Sequence, residues 1–152
     1  MSSGISVQRI SRLARIPSDR LLRKWATAAL VAVNSCGGAE VTVRIVNGVE
    51  ARNLNSAFRG KDYPTNILTF VYHDRTSPVL VGDLVICAPV VAREAKDQGK
   101  ALAPHYAHLC VHGILHLAGF DHETEPDAQR MESLEVKILA GLGITNPYLV
   151  KE

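Results

Sequence analysis

Residues 112 to 122 read His-Gly-Ile-Leu-His-Leu-Ala-Gly-Phe-Asp-His, and the spacing H-x3-H-x2-G-x2-H restricts the fold around it more than any other stretch of the chain. On a helix, His112 and His116 project from one face with Cβ atoms about 5–6 Å apart, a separation suited to two ligands of one ion. Gly119 can leave the helix at positive φ and turn the chain back, so that His122 reaches the same point. The remaining face must be covered, which Leu109, Leu115 and Leu117 can do by packing inward while the histidine stripe opens into a cleft.

Three neutral imidazoles leave the fourth position of a tetrahedral ion open, the mark of catalytic rather than structural metal sites. Imidazole suits zinc, copper, iron and nickel, and neither thiolate nor paired carboxylate ligation argues here for a redox metal, so one Zn2+ per chain is expected, about 2.0–2.1 Å from each nitrogen. A single histidine on an apolar helix is ordinarily a satisfied core residue; three at this spacing, with the glycine between, point to metal. The pattern equals the metzincin protease signature except that Gly113 stands where the peptidase general-base Glu would be. A metallopeptidase is therefore the weakest of the readings, because peptide hydrolysis needs that base.

The chain has 152 residues, 47% of them hydrophobic and 21% charged, which fits one globular domain spanning 1–152. No leader-like apolar region opens it, and no run approaches the roughly 18 residues that span a bilayer, so a cytoplasmic protein without membrane contact is expected. Cys36, Cys87 and Cys110 are odd in number and set in apolar sequence, which favours buried, reduced thiols. A net charge of +2 with a pI of about 8.5 falls short of the roughly pI 9 of an electrostatic nucleic-acid footprint. Arg9, Arg12, Arg15, Arg20, Arg23 and Lys24 crowd the start of the chain, where a solvated helix face explains them equally well.

Along the chain, Ser6–Ile10 reads as a strand, and Pro17-Ser18 opens a helix with Leu22, Trp25, Ala26, Ala29, Leu30 and Val33 at helical spacing, ended by Cys36-Gly37-Gly38. Val41–Val46 alternates as a strand, Asn47-Gly48 makes a turn, and Val49–Phe58 reads as a helix with Leu54 and Phe58 inward, followed by a polar loop over 59–64. Asn66–Tyr72 and Val79–Cys87 are central or near-central strands. Pro89 begins a helix to about Gln98 that Gly99 closes. The ligand helix spans about Pro104–Ala118, and a last helix from about Pro126 to Leu142 packs through Met131, Leu134, Ile138 and Leu142, with Gly143 as its stop. The fold class is α+β: one mixed sheet of four strands packed with about five helices, with the metal site in a cleft.

The segments Leu54–Phe70 (Leu-Asn-Ser-Ala-Phe-Arg-Gly-Lys-Asp-Tyr-Pro-Thr-Asn-Ile-Leu-Thr-Phe), Gly82-Asp83-Leu84-Val85-Ile86 and His112–His122, in this order, closely resemble the YbeY family over nearly the whole chain. Phe120 replaces a usual Tyr and Ile67 a usual Val. The resemblance implies a zinc-dependent endoribonuclease that cuts single-stranded RNA in maturation of the 3′ end of 16S ribosomal RNA and in ribosome quality control, with the small ribosomal subunit and its associated proteins as partners. It also implies that His112, His116 and His122 are zinc ligands and that Arg59 serves catalysis.

On that reading a zinc-activated water attacks a phosphodiester, and the planar, paired donors of Arg59 match phosphoryl oxygens in a way lysine cannot. By sequence alone an arginine in a polar loop is usually just solvated. The proton-transfer group is open among Asp121, Glu123 and His108: Asp121 is as suited to orienting a ligand imidazole as to touching substrate, and His108 can line the cleft or bond a neighbour on the helix surface. His73 and His105 read as surface residues. Aromatic content is 5%, leaving Tyr63, Tyr72, Tyr106 and Phe120 as base-stacking candidates. That scarcity keeps a second possibility open, a ribosome assembly factor whose metal only stabilises the fold.

Overall fold

The computed structural model describes residues 3–33, 38–74 and 76–149. The elements, in order, are β1 (Ser3–Arg9), α1 (Asp19–Val33), β2 (Ala39–Val46), α2 (Gly48–Arg59), β3 (Ile67–Val71), β4 (Leu80–Cys87), α3 (Ala88–Asp97), α4 (Leu102–Leu117) and α5 (Glu125–Gly141). The α+β class, the mixed four-stranded sheet and the five helices expected from the sequence are all present. Among the described residues no helix is long and apolar enough to cross a membrane.

The sheet order is β1-β2-β4-β3. β1 runs parallel to β2 with Val7 opposite Val43, β2 parallel to β4 with Val43 opposite Leu84 and Ile45 opposite Ile86, and β3 antiparallel to β4. Alternation sorts side chains between two cores. Val41, Val43 and Ile45 of β2 join Leu80, Leu84 and Ile86 of β4 beneath α1, α4 and α5. On the opposite face Val46, Leu68, Val85 and Cys87 form a smaller cluster with Ala51 and Leu54 of α2 and Val90 of α3.

Local chemistry explains most boundaries. The Ser18 hydroxyl accepts the Leu21 N–H (3.2 Å) at the start of α1, and the Thr124 hydroxyl accepts from Asp127 N–H at the start of α5, both N-cap bonds. Of the Cys36-Gly37-Gly38 stop, Cys36 and Gly37 lie outside the described residues; Cys87 and Cys110 are buried free thiols. Three expectations need correction. Asn47-Gly48 is no free turn: Asn47 is the extended residue preceding α2 and Gly48 its first helical residue, so strand passes directly into helix. The Asn66–Tyr72 strand is not central, since among the described residues β3 pairs with β4 alone, at the sheet edge. Phe58 does not face inward: it is 67% exposed and meets Phe70 edge-on at 5.1 Å, because the last turn of α2 lies over the edge strand, beyond which no strand among the described residues covers the ring.

Two glycines set how closely α4 approaches the sheet. A Cβ on Gly113 would stand 2.7 Å from Leu84 Cδ2 and 3.0 Å from Ile67 Cδ1. One on Gly82 would stand 2.4 Å from both Leu117 Cδ2 and the Phe70 carbonyl oxygen. Interiors packed to crystalline density leave no room for either methyl, so α4 rests on β3 and β4 because both positions lack a side chain.

Candidate metal centre

The helix α4 is buried along Leu109, Ile114, Leu115 and Leu117 and turns its histidines to the other side. His112 and His116 bring their Nε2 atoms within 3.1 Å of each other. Gly119, at φ +98°, reverses the chain: its N–H bonds the His116 carbonyl and the Phe120 N–H that of Leu115, both at 3.0 Å. The return carries His122 to ring-centroid distances of 5.8 Å from His112 and 5.3 Å from His116. One nitrogen from each ring lies within 4.8 Å of the others.

The donor set fits a divalent cation on its own geometry. Nitrogens of a tetrahedral zinc site at about 2.0–2.1 Å stand roughly 3.3 Å apart, close to the 3.1 Å between His112 and His116. Two imidazole nitrogens at such a distance either share one proton or aim lone pairs at a common cation. Burial, and then the neighbouring His112 and His122, lower the His116 pKa to about 4, so its ring is neutral with a lone pair free for coordination.

Glu135 of α5 fixes the tautomer. Its carboxylate is fully buried and accepts from His112 Nδ1 at 2.6 Å, from His108 Nε2 at 3.0 Å and from the Tyr148 hydroxyl. Burial works against its charged form, but these hydrogen bonds outweigh it and hold the carboxyl down to about 2. With its proton kept at Nδ1, His112 presents Nε2 toward the trio, the carboxylate–histidine arrangement typical of metal sites. His108, His112 and Glu135 also lie close enough for a second ligand set, yet their spacing is that of satisfied donor–acceptor pairs, and we assign them to hydrogen bonding.

Glu135 and Tyr148 were not singled out from sequence. A signal existed for the first: Glu135 falls one turn after Met131 and three residues before Ile138, on the inward stripe of its helix, where an acidic residue needs donors waiting. Tyr148, beyond the last helix, carried none. His108 is bonded to its neighbours Glu135 and Tyr148, the Tyr148 ring standing edge-on at 5.3 Å. Asp121 accepts from the Glu123 N–H at 3.2 Å, and the carboxylate that orients a ligand ring is Glu135.

Two surface assignments change. His105 is 7% exposed, its Nε2 bonded to Glu94 at 3.0 Å, because α3 packs over the start of α4. Half-buried His73 accepts the Val81 N–H through Nδ1 at 3.0 Å. Tyr106 is 1% exposed and cannot stack on a base; Tyr63 and Tyr72 are exposed. Arg59, the last residue of α2, is exposed. Among the described residues no hydrogen bond joins it to the histidines, and its helix covers the sheet face opposite α4.

The family described as Endoribonuclease YbeY matches residues 7–143. An Endoribonuclease YbeY of Aromatoleum aromaticum is 58% identical over 135 residues, 89% of this chain and 83% of the relative. One from Alkalilimnicola ehrlichii is 52% identical over 144 residues, 91% and 86% of the two chains, and one from Nitrosomonas europaea 50% identical over 147 residues, 97% and 85%. The solution structure of TM1509 from Thermotoga maritima superposes with a TM-score of 0.61 over 96% of this chain and 99% of its own, at 22% identity, a likeness of fold.

Proposed function

Because this chain belongs to the YbeY endoribonuclease family, we propose that it is a zinc-dependent, single-strand-specific endoribonuclease. Its role on this reading is maturation of the 3′ end of 16S ribosomal RNA and ribosome quality control in the cytoplasm, on the small subunit and with that subunit's proteins. The observation that carries the reading is the convergence of His112, His116 and His122 with the His112 proton held at Nδ1 by buried Glu135.

When bound, zinc supplies Lewis-acid activation of water and offsets charge on the phosphoryl oxygens. The chain's own residues prepare for it. Glu135 orients His112, and burial keeps His116 neutral. Arg59 offers a guanidinium fork for the phosphates flanking the cut, reaching them along the strand rather than through the trio. Gly113 leaves no side chain between the ligand helix and the sheet, so no acid or base acts from that position.

The test is cleavage of a single-stranded RNA by pure zinc-loaded protein. Loss of cleavage on chelation and in His116→Ala, with return on adding zinc to the wild type, is the expected outcome. Tight zinc binding with no cleavage by any preparation refutes the nuclease and leaves an assembly factor.

A further inference from the structure

Beside the trio lies a cavity of about 240 Å³. His112, His122, Ala128, Met131, Glu132, Glu135 and Tyr148 line it. Glu132 is exposed, and among the described residues its carboxylate has no hydrogen-bond partner. Tyr148 belongs to the segment after α5, which folds back so that Lys100 Nζ reaches the Pro147 carbonyl at 3.4 Å. With its hydroxyl held by Glu135 and His108, the ring is fixed in place. Burial, then the hydrogen bond and charge of Glu135, then the charge of Glu132, all raise the Tyr148 phenol, which sets the Glu132 carboxylate within electrostatic reach of the ring.

The lining selects its occupant. A phosphate is disfavoured, because two carboxylates and, among the described residues, neither Lys nor Arg line the space. A flat apolar ring is favoured, since Tyr148 offers a stacking face, Met131 a polarizable thioether and Ala128 a small contact. The edge of that ring must donate, because an ionised carboxylate only accepts. Guanine alone among the four RNA bases carries two adjacent N–H donors, N1–H and N2–H, that both oxygens of one carboxylate can take. Adenine and cytosine offer one amine beside a ring acceptor, and uracil one N–H between two carbonyls.

We propose that this cavity is a base-recognition subsite that takes a guanine next to the cleaved bond, with Glu132 reading its donor edge and Tyr148 stacking on it. The assignment rests on the endoribonuclease reading for its RNA context, but not for its chemistry. A bidentate pair of this kind discriminates by at least about tenfold in favourable cases.

The chain contains only two methionines, Met1 and Met131, so the 13C-methyl signal of Met131 reports on the cavity in the zinc-loaded, full-length protein. Guanosine is expected to shift it and to bind about tenfold more tightly than uridine, and Glu132→Gln to bring the two within about twofold. In parallel, single-stranded RNAs with guanine beside the cut should be cleaved about tenfold faster than those with uracil there, and Glu132→Gln should erase the difference. Equal response to both nucleosides, discrimination that survives Glu132→Gln, or a signal moved by Mg2+ and by neither nucleoside overturns the subsite. RNA cleaved with no nucleoside response at Met131 overturns the subsite and leaves the nuclease. Guanosine selectivity at Met131 with no RNA cut upholds the subsite and refutes the nuclease.

Discussion

Glutamine in place of Glu135 keeps the shape of the side chain while changing what it can accept. The carboxylate receives three donors: His112 Nδ1 at 2.6 Å, His108 Nε2 at 3.0 Å and the Tyr148 hydroxyl. An amide has one accepting oxygen, and its NH2 must face a ring nitrogen. Where it faces His112, the ring can keep that contact only by moving its proton to Nε2, the atom 3.1 Å from His116 Nε2 and the one a cation needs.

Loss of such a supporting partner lowers metal affinity about 10–100-fold, or roughly 1.4–2.7 kcal/mol at 1.36 kcal/mol per decade. Competition against a chromophoric chelator reads the zinc dissociation constant directly, and long-range 1H–15N spectra of the metal-free protein report which nitrogen of His112 carries the proton. Urea unfolding of both metal-free proteins separates a general loss of stability from a local loss of affinity. Zinc affinity within twofold of wild type, with His112 still protonated at Nδ1, refutes the orienting role of Glu135.

Gly82→Ala is expected to destabilise the fold by about 2–3 kcal/mol, the upper range of overpacking costs. Its Cβ would stand 2.4 Å from the Phe70 carbonyl oxygen, a backbone atom that moves only with its strand; a urea midpoint equal to wild type contradicts this. Stripping zinc should lower the melting temperature by about 5–10 °C, because a ligand at 100 times its dissociation constant adds about 2.7 kcal/mol and a chain of this size shifts about 2–4 °C per kcal/mol. An unchanged melting curve in chelator means that the trio holds no ion. Arg59→Lys should retain zinc, since among the described residues no hydrogen bond joins Arg59 to the histidines, and lose most RNA cleavage; full turnover in that variant removes Arg59 from the reaction.

The parts of the fold that follow local rules were legible in the sequence. The alternation of Val41, Val43 and Ile45, the helical spacing of Leu22, Trp25, Ala26 and Ala29, and the glycine after His116 each name their own environment, and the structure buries or turns each accordingly. What stayed hidden depends on partners distant in the chain. Phe58 has the spacing of a core residue, but β3 is an edge, and strand order is settled by pairing rather than by the strand's composition. His105 looks polar until α3 covers it and Glu94 bonds it. Glu135 and Tyr148 meet His108 and His112 across 27 and 40 residues for the His108 pairs, a separation that no local pattern encodes.

Gly113 serves packing where a peptidase would carry its base. Read as a motif, it is the absence of a peptidase base; in the structure it is the presence of a packing contact, since a Cβ there points at Leu84 and Ile67 rather than toward the histidines. A glutamate at 113 would have to bury its carboxylate between helix and sheet, away from donors, at a cost of several kcal/mol. The chain's buried acid instead comes from α5, where three donors already wait. The helix α4 therefore takes its supporting charge from a neighbouring helix, because its own inward face at Gly113 is committed to the sheet.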